Sequence, residues 1–193
     1  MDWQDEKDEL VKRNALAQNL GGADKIERQH KGGRFTVRER IDKILDPDSF
    51  QEIGGLAGAY SYDADGNIAS HSPTNCVMGR GRINGQPVVI SGDDFTVRGG
   101  SADATIWEKA KYPETMANEL RLPIIRLIEG SGGGGSVKTI ETKGRANLPG
   151  GLGNTSGFDI LAENMATVPV VGLGLGSVAG LGAARLAASH YSV

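Results

Sequence analysis

The sequence has 193 residues, of which 38% are hydrophobic and 23% charged, an ordinary composition for one globular domain with a hydrophobic core. Its formal net charge of -3 provides no broad basic surface, which argues against nucleic-acid binding. We expect no transmembrane segment and no secretory signal, because long apolar runs are absent from the sequence and its first residues are acidic and polar.

The first fifty residues predict a helical amino-terminal arm. Apolar residues recur at helical spacing over residues 8–20, and a shorter helix is expected over residues 24–30. Thr36 and Glu39 have the spacing of a capping box, which predicts a third helix that ends before Pro47. Because the arm is highly charged and has few bulky residues, we expect it to lie across another surface instead of forming a core.

A hairpin and a polar segment follow the arm. Strand-like residues 77–83 and 86–90 flank Asn84 and Gly85, a dipeptide typical of a type I′ turn. Residues 60–74 are rich in turn-forming residues, and we expect a surface loop there. Within it, residues 63–67 weakly resemble a calcium loop, but the required spacing and closing glutamate are missing, so a plain turn is favoured.

Beyond Phe95, strands and helices alternate. We predict helices over residues 102–120, 156–167 and 177–189, and strands over 123–128, 168–173 and from 191 onward, with a glycine-rich loop over 130–153. This order predicts an α/β domain, residues 51–193, with parallel strands joined by crossover helices, preceded by the arm of residues 1–50. Because domains rarely end where a strand begins, we expect the domain to be incomplete.

Glycine is unusually abundant, with 29 residues, about twice the usual share of roughly 7%. Two clusters, residues 129–136 and 174–182, each follow a predicted strand. Their backbone N–H groups are free to face an anion or a carbonyl oxygen that gains negative charge. A phosphate loop is excluded, because Gly135 is followed by Ser136 and not by lysine. The alternative is that both clusters are ordinary strand-to-helix turns.

No side chain stands out as a metal ligand or a nucleophile. The three histidines, His30, His71 and His190, show no ligand spacing, so we predict no metal site. Cys76 is the only cysteine, and we expect a buried, inert thiol in a reducing cytoplasm. Chemistry that depends on backbone donors is consistent with this absence.

Several segments together resemble one family. Residues 36–41 carry its T-x-R-E-R-I arm motif, residues 79–88 match its hairpin, and residues 93–101 are close to its D-F-T-V-x-G-G-S stretch. Residues 123–135 resemble its strand and S-G-G-A-R turn, and residues 176–193 its G-x-x-A-G-G-A turn and helix. From about residue 20 to the end, the chain resembles the amino-terminal part of carboxyltransferase (beta) subunits of biotin-dependent acyl-CoA carboxylases, of the propionyl-, methylcrotonyl- and acetyl-CoA type.

The resemblance implies a crotonase-like ββα-spiral fold of the ClpP/crotonase superfamily, in which two homologous halves make one subunit. It implies that this half binds acyl-CoA, and that a carboxy-terminal half receives carboxybiotin, with biotin carried on a separate protein or domain. The implied partners are biotin carboxylase, the biotin carrier and further copies of the chain. The implied reaction moves a carboxyl group to the α-carbon, or the vinylogous position, of an acyl-CoA. The isolated chain is expected to be inactive.

The resemblance also implies site residues. The backbone N–H groups of Gly132, Gly133 and Gly134 would form an oxyanion hole for the enolate. The acyl-CoA would contact Phe95, Gly99, Gly100, Ser131, Ser177, Ala179 and Gly180. The chain departs from the family where Gly134 and Gly135 replace Ala and Arg, and where Leu181 replaces a glycine, which leaves acyl specificity open.

Two other functions remain open at this point. One is a biotin-dependent decarboxylase or another acyl-CoA enzyme of the crotonase fold. A sequence that continues with an acid or base glutamate in place of a biotin site would indicate this function. The other is a non-catalytic CoA-binding or assembly domain, which carboxyltransferase activity of the chain alone would refute.

Overall fold

A six-stranded mixed sheet flanked by helices forms the body of the protein, and a two-stranded hairpin stands apart from it. The computed structural model describes residues 2–130, 137–144 and 157–193. The helices are α1 (Gln4–Gln18), α2 (Ala23–Lys31), α3 (Val37–Ile44), α4 (Trp107–Leu120), α5 (Val137–Lys143), α6 (Phe158–Thr167) and α7 (Leu181–Ala187). The strands are β1 (Gln51–Glu52), β2 (Gly58–Tyr62), β3 (Ile68–Pro73), β4 (Cys76–Ile83), β5 (Gln86–Asp93), β6 (Ile124–Gly130), β7 (Val170–Val178) and β8 (Tyr191–Ser192).

The large sheet has the strand order β1-β4-β5-β6-β7-β8. The pairs β1–β4 and β4–β5 are antiparallel, while β5, β6, β7 and β8 run parallel and are connected through helices. The predicted type I′ hairpin is confirmed, since Asn84 and Gly85 join β4 to β5 with φ angles of 50° and 79°. The predicted alternation of parallel strands and crossover helices is also confirmed.

Alternate residues of the central strands face opposite sides of this sheet, and each side carries a hydrophobic cluster. On β5, Val88 and Ile90 belong to the cluster that includes Ile41 of α3. Val89, between them, belongs to the cluster that includes Met116 of α4. The two-residue period of a strand therefore places the arm on one face of the sheet and α4 on the other.

The arm forms part of the core, so the expectation that it would only lie across a surface is wrong for α3. The predicted capping box is present: Thr36 Oγ1 accepts a hydrogen bond from the Glu39 N–H, and the Glu39 carboxylate accepts one from the Thr36 N–H at 2.7 Å. Val37 and Ile41, four residues apart on α3, are 2% and 0% exposed. The apolar residues of α3 lie together on the buried side of an amphipathic helix, which composition alone does not show. The division at residue 50 stays a prediction.

Residues 60–74 are not the predicted surface loop, because most of them form the antiparallel β2–β3 hairpin. Its turn is closed by Asp63, whose Oδ1 accepts hydrogen bonds from the N–H groups of Asp65 at 3.0 Å and Asn67 at 2.8 Å. Asp63, Asp65 and Asn67, which suggested a loop, thus form the turn of the hairpin, as in an Asx turn. The structure therefore contains a turn over residues 63–67, as predicted.

Several predicted boundaries in the second half are wrong, including the start of the helix predicted over 102–120, which begins at Trp107. The expected loop over residues 130–153 begins with Gly130, the last residue of β6, and contains helix α5. Its residues 131–136 and 145–153 lie outside the described residues. The helix predicted over 177–189 begins only at Leu181, because β7 continues to Val178.

We expect the β2–β3 hairpin to lose stability in mild acid through His71. Its ring stacks on Tyr60 with 4.3 Å between centroids, and both ring nitrogens are buried. Burial lowers the pKa of His71 below its ordinary 6.5; the charge of Arg13 acts in the same direction and the Leu16 backbone opposes it. The unfolded chain then binds the proton more readily, so this stability is complete above pH 6.5 and is lost as the pH falls through the lowered pKa.

Urea unfolding at about pH 7.5 and about pH 5.5 measures this effect, because the two values lie on either side of the ordinary histidine pKa. The decrease in the free energy of unfolding from the higher to the lower pH should be smaller in His71→Phe than in the unsubstituted chain. An equal decrease in both would contradict the role of His71.

Candidate functional site

Three turns meet around Gly130, at the carboxyl end of β6. Gly130 pairs with Val178 of β7, and its carbonyl oxygen accepts a hydrogen bond from the Ala179 N–H at 3.2 Å. Its φ is 110°, and a Cβ atom there would lie 2.9 Å from Gly100 Cα and from the Gly99 carbonyl oxygen. Only glycine allows the turn at Gly99 and Gly100 to approach the end of β6 so closely.

The close contact between the Gly99–Gly100 turn and β6 also requires glycine at position 100. Gly100 has a φ of 64° and is buried, and a Cβ there would lie 2.5 Å from the Glu129 carbonyl oxygen. Gly99 has a similar φ of 65°, but a Cβ at that position meets no described atom within 4 Å. Gly100 is therefore the residue of this turn that the packing constrains.

The third turn connects β7 to α7. Gly180 has a φ of 55° and immediately precedes α7, and Gly182 packs so closely that a Cβ there would lie 3.0 Å from the Gly130 carbonyl oxygen. Ser177 and Gly180 are exposed, and Ala179 is also exposed. The backbone that follows β7 is thus open to solvent at the carboxyl end of the parallel strands, where ligands bind in α/β proteins.

A buried carboxylate lies beneath these turns. Glu129, the residue before Gly130, has a side chain that is 1% exposed. It accepts hydrogen bonds from Arg40 at 2.6 Å, Arg34 at 3.3 Å and Gln29 at 3.2 Å, all from the arm. These contacts satisfy the charge that burial would otherwise make very unfavourable.

Glu129, Arg40, Arg34 and Gln29 are not among the site residues predicted from the sequence. A signal was present, because Glu129 lies near the end of a buried strand in which Arg126 is the other charged residue, and a buried carboxylate requires a partner. The sequence does not show which of its 21 Lys and Arg residues supplies that partner, and Arg40 lies 89 positions away.

Hydrogen bonds to Asp93 connect the end of β5 with β6 and α7. Asp93 accepts hydrogen bonds from the Glu129 N–H at 3.3 Å and from Arg185 of α7 at 3.0 Å. The neighbouring Asp94 is buried, and burial raises its pKa against the hydrogen bonds that it accepts from Thr96. These bonds hold the segment that contains Phe95, whose ring centroid lies 5.3 Å from the guanidinium carbon of Arg34.

The structure brings four predicted substrate-binding residues together around Gly130: Gly99, Gly100, Ala179 and Gly180. Phe95 is linked to them through Arg34, which also contacts Glu129, and Ser177 lies next to Val178, the partner of Gly130. The remaining predicted residues, Ser131, Gly132, Gly133 and Gly134, lie outside the described residues.

The cysteine and two of the histidines considered in the sequence are buried or make structural contacts. Cys76 is buried, and burial raises the pKa of its thiol to about 11, so it stays protonated at neutral pH. His30 contacts Glu39 at 3.0 Å, and His190 Nδ1 accepts a hydrogen bond from the Val170 N–H at 3.1 Å. In the described part of the chain no cluster of three or more His, Cys, Asp or Glu residues is arranged to hold a metal ion.

None of the helices within residues 2–130, 137–144 and 157–193 combines the length and the apolar character that crossing a bilayer requires.

Comparison with known proteins gives one consistent result. The family model of the carboxyl transferase domain matches residues 28–184. The propionyl-CoA carboxylase beta chain of Cereibacter sphaeroides is 31% identical over 176 residues, which are 89% of this chain and 32% of that protein. The mitochondrial human beta chain is 32% identical over 183 residues, 91% of this chain and 31% of that protein. The chain therefore spans about a third of the length of these relatives.

Solved structures agree with this result. Transcarboxylase 12S, solved as a hexamer with methylmalonyl-coenzyme A bound, superimposes with a TM-score of 0.67 at 24% identity, covering 93% of this chain and 33% of that one. A single-chain, multi-domain long-chain acyl-CoA carboxylase gives a TM-score of 0.73 at 25% identity, covering 95% and 19%. With the mixed sheet described above, these matches confirm the predicted crotonase-like α/β fold.

Proposed function

The chain belongs to the carboxyl transferase family, and from this premise we propose that it is the acyl-CoA-binding half of a biotin-dependent carboxyltransferase. The observation that carries the proposal is the meeting of three glycine-containing turns around Gly130. They lie at the carboxyl ends of β6 and β7, the edge of a parallel sheet at which ligands bind, and the backbone of Ala179 and Gly180 is exposed there.

Backbone donors suit the chemistry of an acyl-CoA. When the α-carbon of a thioester is deprotonated, negative charge develops on the thioester oxygen, and fixed N–H groups stabilise it without reorganisation. We assign these donors to Gly132, Gly133 and Gly134, which directly follow the Gly130 turn in the chain. Carboxybiotin, carried on a separate protein or domain, supplies the carboxyl group, and we place its site on the carboxy-terminal half.

The remaining contacts follow from the positions of the turns. Gly99, Gly100, Ala179 and Gly180 would line the substrate beside Gly130, and we assign further contacts to Ser177 and to Ser131, which follows Gly130 in the chain. Phe95 would contribute an apolar wall, since its ring is held by Arg34 on one side. Leu181, the first residue of α7, directly follows Ala179 and Gly180 and is our candidate for a residue that influences acyl-chain length.

The proposal includes the partners of such an enzyme. These are the carboxy-terminal half of the carboxyltransferase, biotin carboxylase and biotin carrier components, and further copies of the chain in a homo-oligomer. The hexamer reported for transcarboxylase 12S supports the last of these. We place the enzyme in the cytoplasm because its only cysteine is a free, buried thiol.

Calorimetric titration of the chain with acetyl-, propionyl- and a longer acyl-CoA tests the proposal. We expect saturable binding with a preference for one chain length. Ala179→Phe, which places a ring beside the Gly130 turn, should weaken binding by at least about tenfold, a loss of about 1.4 kcal/mol.

Ala187→Phe is the matched control, because Ala187 lies at the far end of α7, away from the Gly130 turn. It should change the affinity less than about twofold. If the folded chain binds no acyl-CoA, or if both variants weaken binding equally, the assignment of the site is wrong.

A further inference from the structure

Arg40 connects the ends of the two strands from which the glycine turns extend. One of its terminal nitrogens donates to Glu129 Oε2 at 2.6 Å, at the end of β6, and the other donates to the Leu175 carbonyl oxygen at 3.1 Å, on β7. The Arg40 side chain is 8% exposed. From this geometry we propose that Arg40 is a positioning residue for carboxyl transfer, an inference that rests on the proposed function.

A change in the contact between Arg40 and Glu129 would directly alter the backbone around Gly130. Glu129 is bonded covalently to Gly130, and its carbonyl oxygen lies 2.5 Å from the position of a Cβ on Gly100. On the β7 side, Leu175 precedes Gly176, whose Cβ would lie 2.3 Å from Glu129 Oε1, so the carboxylate fills the space that this glycine leaves. The spacing between β6 and β7 at this end therefore depends on how the Glu129 carboxylate is held.

Arginine is suited to this task for a geometric reason. Its planar guanidinium presents donors in a fixed fork, so one side chain holds a carboxylate and a carbonyl oxygen at a set separation. A lysine ammonium keeps the charge but has no such fork, so it cannot hold both acceptors in the same relative position. Gln29 and Arg34 also contact Glu129 and would keep its charge compensated in a lysine variant.

Helix α3 provides an internal control. Arg38 also binds a carboxylate, that of Glu52, at 2.8 and 3.0 Å, and also donates to a backbone carbonyl, that of Ala17, at 3.4 Å. These partners belong to β1 and α1, and not to β6 or β7. Arg38→Lys thus removes the same kind of contact from the same helix without changing the spacing of β6 and β7.

The test compares Arg40→Lys with Arg38→Lys in the assembled carboxyltransferase that contains this chain. We expect Arg40→Lys to lower kcat at least about tenfold, with KM for acyl-CoA changed less than about threefold, since misplacing reacting groups by on the order of 1 Å can cost about a hundredfold in rate. Arg38→Lys should leave kcat within about twofold. Equal effects of the two substitutions, or an effect of Arg40→Lys on KM alone, would overturn the proposal.

Amide hydrogen exchange of the chain provides a second readout that does not depend on activity. The Ala179 N–H, bonded to the Gly130 carbonyl oxygen, should exchange at least about tenfold faster in Arg40→Lys than in Arg38→Lys, because local opening sets its rate. Equal exchange rates would overturn the proposal even if kcat falls. If the unsubstituted enzyme transfers no carboxyl group, the proposed function is wrong, and exchange still decides whether Arg40 holds the two strand ends together.

Discussion

Replacing Glu114 by Gln should lower the free energy of unfolding by about 3–5 kcal/mol, as expected when one partner of a buried ion pair is removed. Glu114 of α4 binds Arg126 of β6 through both carboxylate oxygens, at 2.7 and 2.9 Å. The Arg126 side chain is 0% exposed and that of Glu114 is 4% exposed. The substitution would leave a guanidinium charge buried in the sheet with no opposing charge at that position.

The matched control is Glu27→Gln. Glu27 forms an ion pair with Lys31 at 2.7 Å, but the two side chains are 64% and 73% exposed. Urea unfolding should show a loss of less than about 1 kcal/mol for this variant, because water already solvates both charges. Similar losses for the two variants would contradict our description of the Glu114–Arg126 pair.

This ion pair also matters for the proposed site. Arg126 donates to the carbonyl oxygens of Arg185 at 3.1 Å and Ala188 at 2.5 Å, which holds the end of α7 against the sheet. Since α7 begins directly after Ala179 and Gly180, we expect Glu114→Gln to weaken acyl-CoA binding as well as stability.

The second large effect is expected at the turn that packs on β6. Gly100→Ala should be less stable than Gly99→Ala by about 1–3 kcal/mol, the usual range for overpacking. Both residues have positive φ, 64° and 65°, so both variants carry the same backbone strain of about 1–2 kcal/mol. They differ in contact, because a Cβ added at position 100 would overlap the Glu129 carbonyl oxygen, whereas one added at position 99 meets no described atom within 4 Å.

Denaturant unfolding of the two variants measures this difference, and acyl-CoA titration shows its effect on the site. Gly100→Ala should weaken binding more than Gly99→Ala, because it separates the turn from the end of β6. If Gly99→Ala proves the less stable variant, Gly100 does not make the close contact described.

Local chemistry was enough to predict several elements. The capping box of Thr36 and Glu39 and the turn of Asn84 and Gly85 were recognised because each depends on residues close to one another in the chain. The two glycine clusters were expected at the ends of parallel strands, and Ala179 does lie beside Gly130. The β2–β3 hairpin was missed because its strands are short and its polar turn dominates their composition.

The sequence alone determined the α/β class, the alternation of parallel strands and helices, and the Asn84–Gly85 hairpin turn, because hydrophobic periodicity and turn chemistry act over a few residues. Only the tertiary structure decided that α3 enters the core and that Arg40 reaches Glu129. The Arg40–Glu129 contact joins residues that are far apart in the chain. A buried charge needs a partner, and the folded topology decides which residue that partner is.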